Sequence, residues 1–234
     1  ATAVGVHALK YIIANMAEGI RLRRFRNGGP LNIIICENLM NADQIVGKML
    51  KAELNEEEQE WFDENIGLVE ASVGRMVPVQ TEEMKDGDPL RVCVERYGYL
   101  PVDKAAFKGV VPPIHNMIPF TPFDFYIKRK LYIHNMGHAV CAYLGDILGL
   151  KYISQAIDRN DIYIIVRGAM QESAEALTKK YGVPLEDIMK HIEDLLYRFT
   201  NAALHDTCKR VGNDPARKLS SQDRLIGAAT LALE

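Results

Sequence analysis

The residues best suited to chemistry stand together in Lys128-Arg129-Lys130-Leu131-Tyr132-Ile133-His134-Asn135-Met136-Gly137-His138. On an α-helix at roughly 100° per residue, Lys130, His134 and His138 fall within about 80° of arc, with Asn135 about 140° from Lys130. Asn135 and His138, three apart, are surface neighbours. Leu131, Ile133, Met136 and Val140 occupy much of the remaining circumference. That distribution predicts a helix buried between other elements, whose polar groups need partners. Three readings follow. Two His four apart could hold a metal, but the helical H-E-x-x-H motif needs a Glu after the first His, and Asn135 stands there. A buried helix whose polar residues simply satisfy one another is the plain structural alternative. The third is alcohol oxidation without metal. A Lys amine whose pKa is lowered by burial can take a hydroxyl proton. Asn amides can hold the developing alkoxide without changing charge, and a His can orient donors or bind another hydroxyl.

The surrounding elements are legible as an α/β part followed by an all-helical part. Residues 7–26 carry Leu9, Ile12, Ile13, Met16 and Ile20 on one face and end in an arginine-rich turn before Asn27-Gly28-Gly29-Pro30, which predicts a helix and its stop. The basic end reads as a solvated helix terminus rather than a phosphate site. Leu31-Asn32-Ile33-Ile34-Ile35-Cys36 is a nearly continuous apolar run, as in a parallel strand covered on both faces. Asn38 follows at its carboxyl end, where ligands collect in open α/β sheets, although a turn also favours Asn. Polar helices are expected over 41–65 and strands over 67–79 and 90–97. The proline-rich stretch 109–122 reads as a connection between domains. Thr121-Pro122-Phe123-Asp124 reads as a helix start leading into a long helix to about residue 150. Further helices are expected near 152–158, 160–181, 184–199 and 220–232, the last opened by a capping box at Ser220-Ser221-Gln222-Asp223.

Composition narrows the function classes. The chain has 234 residues, net charge −3 and 48% hydrophobic residues. No basic excess favours nucleic acid. No apolar run is long enough to predict a membrane span. Cys36, Cys93, Cys141 and Cys208 form no C-x-x-C pair, which argues against zinc ribbons and disulfide frameworks and fits a reducing, cytoplasmic setting. The start lacks a basic leader and reads as folded protein. Its strand-like Thr2-Ala3-Val4-Gly5-Val6 has nothing ahead of it to pair with, which predicts a longer natural chain at this end. No G-x-G-x-x-G or phosphate-binding P-loop occurs, so any dinucleotide fingerprint is expected upstream.

The pattern Lys130-x4-Asn135-x2-His138, continuing through Ala139 to Tyr143-Leu144-Gly145, resembles the signature of the polyol-specific long-chain dehydrogenases. PLNIIICEN resembles that family's strand ending in a site Asn, and TAVGV its strand beside the nicotinamide. Val102-Asp103-Lys104 with Phe107-Lys108-Gly109 resembles its substrate loop. GAMQESAEALTKKYG, RFTN and DPARKLSSQDRLIG are similar to the branch that acts on mannitol 1-phosphate. His134 and Met136 depart from it, standing where an apolar and a small polar residue are usual.

The resemblance implies residues 1–120 as the C-terminal portion of a Rossmann-like dinucleotide-binding domain and 121–234 as a helical substrate domain. It implies NAD, no metal, and interconversion of D-mannitol 1-phosphate and D-fructose 6-phosphate. Lys130 would be the general base, Asn38 and Asn135 would hold the reacting oxygen, and His138 would orient the site or bind a hydroxyl. Asp103 and the backbone near Val102 would meet the polyol, Arg210 and Lys218 its far, phosphorylated end, and Ala3, Val4 and Gly5 the cofactor. Without the fingerprint, the chain alone is expected not to turn over. The residues leave open NAD against NADP, a free polyol or hexuronate as substrate, a monomer against a dimer, a non-catalytic helical interaction module, and a metal hydrolase.

Overall fold

The computed structural model describes residues 1–234. The chain forms two compact units, 1–74 with 98–124, and 75–97 with 125–234.

The first unit is built on parallel pairing. Strands β1 (Leu31–Ile35) and β2 (Ile66–Glu70) run parallel with Leu31 opposite Ile66 and Ile35 opposite Glu70. Thr2 bridges the other edge of β1 at Ile35. It is the only residue of the N-terminal segment that pairs as a strand, which corrects the expected strand over Thr2–Val6: Gly5 turns to φ 87 and a 3-10 turn, Val6–Ala8, begins at once. Strands β3 (Leu100–Asp103) and β4 (Met117–Phe120) form a second parallel pair, joined to β2 by an antiparallel bridge from Ala71 to Val102. Side chains alternate along β1. Ile33 and Ile35 pack with Leu9, Ile13, Ala17 and Ile20 of helix α1 (Leu9–Phe25). Ile34 and Cys36 pack on the other side with Val69 and Val102. Helices α2 (Ala42–Ala52) and α3 (Glu56–Asn65) complete the first layer, α3 opening with an Asn55/Glu58 capping box.

The expected connection over 109–122 therefore contains a strand, β4, and the helix after it starts late. Phe120 still accepts a bond from the Lys104 N–H (3.1 Å), so the backbone stays extended through that point. The Thr121–Pro122 peptide is cis and the helix begins at Asp124, leaving Thr121 and Pro122 outside it.

In the second unit, helix α5 (Asp124–Arg129) passes into a π-helical stretch, Lys130–Asn135, and then into α6 (Met136–Ile147). The expected long helix is present but not uniformly α. Helices α7 (Ile153–Ile157), α8 (Asn160–Tyr181) and α9 (Leu185–Phe199) follow, and α6 packs against α7 and α8. Short helices α10 (Cys208–Gly212) and α11 (Pro215–Lys218) lead to the last long one, α12 (Ile226–Leu233). Ser220–Asp223 forms turns rather than the expected capping box, with the Asp223 N–H bonded to the Ser220 carbonyl (3.1 Å). No helix is long and apolar enough to cross a membrane.

The stretch 72–97 also departs from expectation. Apart from a four-residue helix, α4 (Glu82–Lys85), it is irregular. Side chains replace the strand ladder: Gln80 accepts from the Cys93 N–H (2.7 Å) and donates to the Cys93 carbonyl (3.0 Å).

Candidate functional site

Lys130 opens the π-helical stretch and Asn135 closes it. In an α-helix these residues would point about 140° apart. A π-helix bonds residue i to i+5 and so stacks them one turn apart on one side, and such insertions are frequent at functional sites. The uniform-helix arc expected for Lys130, His134 and His138 is corrected accordingly. The stretch packs against α8, α9 and α12. Burial first, and then the nearby positive charge of Arg224, hold the Lys130 amine below its ordinary pKa.

His134 is buried, at 7% exposure. Burial, then His138, Arg198, His191 and Lys130, push its pKa well below the usual imidazole value, so it is neutral. Its ring lies 6.3 Å from that of His138 and 6.0 Å from that of Phe199. His138 stacks on Phe199 at 4.9 Å and 16°. Its Nε2 stands 3.1 Å from Asp206 Oδ2. The two atoms are in close approach, while the N–H direction lies off a good hydrogen-bond line.

Asp206 was not legible as a site residue. It precedes α10, far from the helix motif in sequence, and only the fold brings it to His138. Its Oδ1 also accepts from Arg210 Nε at 3.0 Å. Burial alone would raise this carboxyl; His138 and Arg210 outweigh it and hold the pKa below the ordinary value. Arg210 is thus already partnered, and Lys218 more so. The Lys218 ammonium is buried and donates to the carbonyls of Val211 (2.6 Å) and Asn213.

In the first unit, Asn38 is exposed just past β1, and Val102 is fully buried in β3. Asp103 ends β3 and its Oδ1 takes the Ala105 N–H at 2.9 Å. Ala3, Val4 and Gly5 are exposed. A Cβ placed on Gly5 would meet nothing within 4 Å, so a flat ring has room to approach that backbone. Glu37, which sequence reasoning passed over in favour of its neighbour, is buried and grips this segment, accepting from the Val4 and Gly5 N–H groups at 2.9 Å each. A carboxylate in the CEN run was the available signal. Asn38, Val102 and Asp103 thus belong to one unit, and Lys130, Asn135, His138, Arg210 and Lys218 to the other. No group of three or more His, Cys, Asp or Glu side chains is placed to hold a metal ion.

The first unit pairs parallel strands with helices, as open α/β domains do, and the second is helical and carries the half-buried Lys130. The family model for the mannitol dehydrogenase Rossmann domain matches residues 1–116, and that for the mannitol dehydrogenase C-terminal domain matches residues 123–233. The chain belongs to the mannitol dehydrogenase family. Its Rossmann domain is therefore present, which corrects an expectation built on the missing fingerprint; the G-x-G-x-x-G motif itself does not occur in the 234 residues. A mannitol-1-phosphate 5-dehydrogenase of Bacillus subtilis is 39% identical over 228 residues, 97% of this chain and 60% of that protein. The chain thus spans about 60% of the length of this curated relative. The crystal structure of a D-sorbitol dehydrogenase in substrate-free form superposes with TM-score 0.79 at 19% identity, over 95% of this chain and 50% of that one. A Pseudomonas fluorescens mannitol 2-dehydrogenase in ternary complex with NAD and D-mannitol does so with TM-score 0.66 at 19% identity, over 95% and 49%. These likenesses establish the fold: a Rossmann-like domain followed by a mainly helical one.

Proposed function

We propose that this chain carries the substrate-side machinery of an NAD-dependent polyol dehydrogenase that interconverts D-mannitol 1-phosphate and D-fructose 6-phosphate. The observation that carries the reading is Lys130: an amine held below its ordinary pKa by burial, on the helix where Asn135 stands one π-turn away. The similarity to the B. subtilis enzyme supports the phosphorylated substrate. The functional division places the dinucleotide side in 1–120 and the polyol side in 121–234.

The Lys130 amine, in its deprotonated form, takes the proton from the reacting hydroxyl, and its lowered pKa favours that form. Asn38 and Asn135 donate amide N–H bonds to the oxygen as negative charge develops, which costs no change in their own charge. The hydride acceptor for the carbinol carbon would be supplied by NAD, held at Ala3, Val4 and Gly5. The exposed backbone of Ala3, Val4 and Gly5, open at Gly5, fits the nicotinamide end of that cofactor. His138 meets a neighbouring hydroxyl, Asp103 and the Val102 backbone meet the polyol chain, and Arg210 and Lys218 meet its far end. In the reverse direction Lys130 returns the proton to the carbonyl oxygen.

A second reading, oxidation of the free polyol, is favoured by one observation: Arg210 is tied to Asp206 and Lys218 to backbone carbonyls, so both cations are already partnered. Assaying the complete protein with mannitol 1-phosphate and with mannitol separates the two. The phosphate reading expects a large preference for the ester, and equal kcat/KM overturns it. Lys130→Ala is expected to lower turnover by about 10²–10⁴-fold with the fold intact; unchanged turnover removes the base from the mechanism.

A further inference from the structure

The geometry points to Asp206 as a positioning residue that couples His138 to Arg210, setting the imidazole so that it receives, rather than donates, a hydrogen bond from the substrate. This rests on the dehydrogenase reading above.

The carboxylate sits in a narrow place. Its side chain is 9% exposed, against 16% for His138 and 58% for Arg210. One oxygen faces His138 Nε2 at 3.1 Å and the other takes Arg210 Nε at 3.0 Å. The backbone is fixed as well: the Asp206 carbonyl accepts from the Ile153 N–H (2.9 Å), and Thr207 bridges Tyr152. A side chain anchored on both sides cannot follow either partner, so the partners take their positions from it. Phe199 covers one face of the His138 ring. With that face covered and Nε2 only 3.1 Å from a carboxylate, a small turn of the ring completes the hydrogen bond, which puts the proton on Nε2 and the lone pair on Nδ1. Nδ1 then offers an acceptor, the complement of a polyol hydroxyl. The second oxygen aims the Arg210 guanidinium and balances its charge, so an anionic substrate end shares that arginine with Asp206 rather than meeting an isolated cation.

Two measurements test this on different footings. In the ¹⁵N-labelled chain, with His138 assigned by its loss in His138→Gln, the imidazole is expected to show the Nε2–H tautomer, and Asp206→Asn to convert it to a mixture. This readout needs no turnover. In the complete protein, Asp206→Asn is expected to lower kcat/KM for the polyol about 10–100-fold, as for other carboxylates that orient an imidazole, with Asp206→Glu recovering part of it. An unchanged tautomer together with unchanged kcat/KM overturns the inference. Should Asp206→Asn fail to fold, Asp206→Glu carries the test: a several-fold loss in kcat/KM supports the positioning role, and parental kcat/KM overturns it. Lys130→Ala run alongside keeps the failures apart. If it is silent the dehydrogenase reading falls, whereas a silent Asp206 beside an inactive Lys130→Ala removes Asp206 alone.

Discussion

Lys130 owes its lowered pKa first to burial and then to Arg224, and one substitution separates the two. The Arg224 cation disfavours a second charge nearby, so Arg224→Gln raises the Lys130 pKa while leaving burial in place. A base must be neutral to accept a proton, so oxidation rates rise with pH through this pKa. The variant is therefore expected to shift the rising limb of the kcat–pH profile to higher pH in the complete protein. A shift to lower pH, or none, contradicts the pairing. The buried imidazoles act on stability instead. Burial, with Arg129 and Arg198, brings His191 down to about 3, and His134 is lowered by the same first cause. A histidine depressed in the fold binds fewer protons than in the unfolded chain below about pH 6.5. Its stability contribution is complete above that value and lost as pH falls toward the folded pKa. Between pH 6.5 and 4.5, before the carboxylates matter, each such group contributes a slope of up to about 1.4 kcal/mol per pH unit. Urea unfolding of the chain across that window should show the slope, and His191→Gln should flatten it; equal slopes would remove His191 as the cause.

At the scale of elements, α6 is positioned by a close approach at Gly145 that only glycine permits. A Cβ on Gly145 would stand 2.7 Å from Cys208 Sγ and 2.9 Å from Ala156 Cβ, and the second neighbour is a methyl on a packed helix that has no rotamer to change. One on Gly137 would meet only Met170, a flexible side chain. Gly145→Ala is expected to cost about 1–3 kcal/mol by overpacking, against about 1 kcal/mol gained in helix propensity. Gly137→Ala should come out nearer neutral, and denaturant midpoints for the pair read the difference. The sequence pattern foretold α8 over 160–181, because a long apolar stripe ends at Lys179, Lys180 and a Gly182 with positive φ. It also foretold the helix bearing Lys130, His138 and Asn135. It did not foretell β3 and β4, four-residue strands carrying Pro101 and Pro119, since prolines in short runs read as linker. Nor did it foretell the π-turn, which depends on packing against three other helices, or Asp206, whose meeting with His138 is a tertiary event.

At the scale of the whole molecule, the chain visits the second unit, returns to the first and leaves it again, because 75–97 packs with the helices. Few backbone pairs hold that excursion. Glu95 holds it through side chains: it is 8% exposed, its Oε2 takes Arg198 Nε at 2.9 Å, and its other oxygen takes the Met76 N–H. Arg198 in turn lies over the Tyr97 ring at 4.2 Å and reaches Asp194 at 3.3 Å. A buried pair stabilises weakly against an apolar replacement, but removing one member strands the other charge at about 3–5 kcal/mol. Asp194 and Tyr97 remain for Arg198, so Glu95→Ala is expected near the lower end, about 3 kcal/mol. Amide exchange should speed first across 75–97, at Met76 above all, while α8 stays protected. The double variant Glu95→Leu/Arg198→Met removes both charges and keeps volume, so it should regain most of the loss. If the double variant is as unstable as the single one, a stranded guanidinium is not the cause, and the excursion is held by its apolar contacts instead.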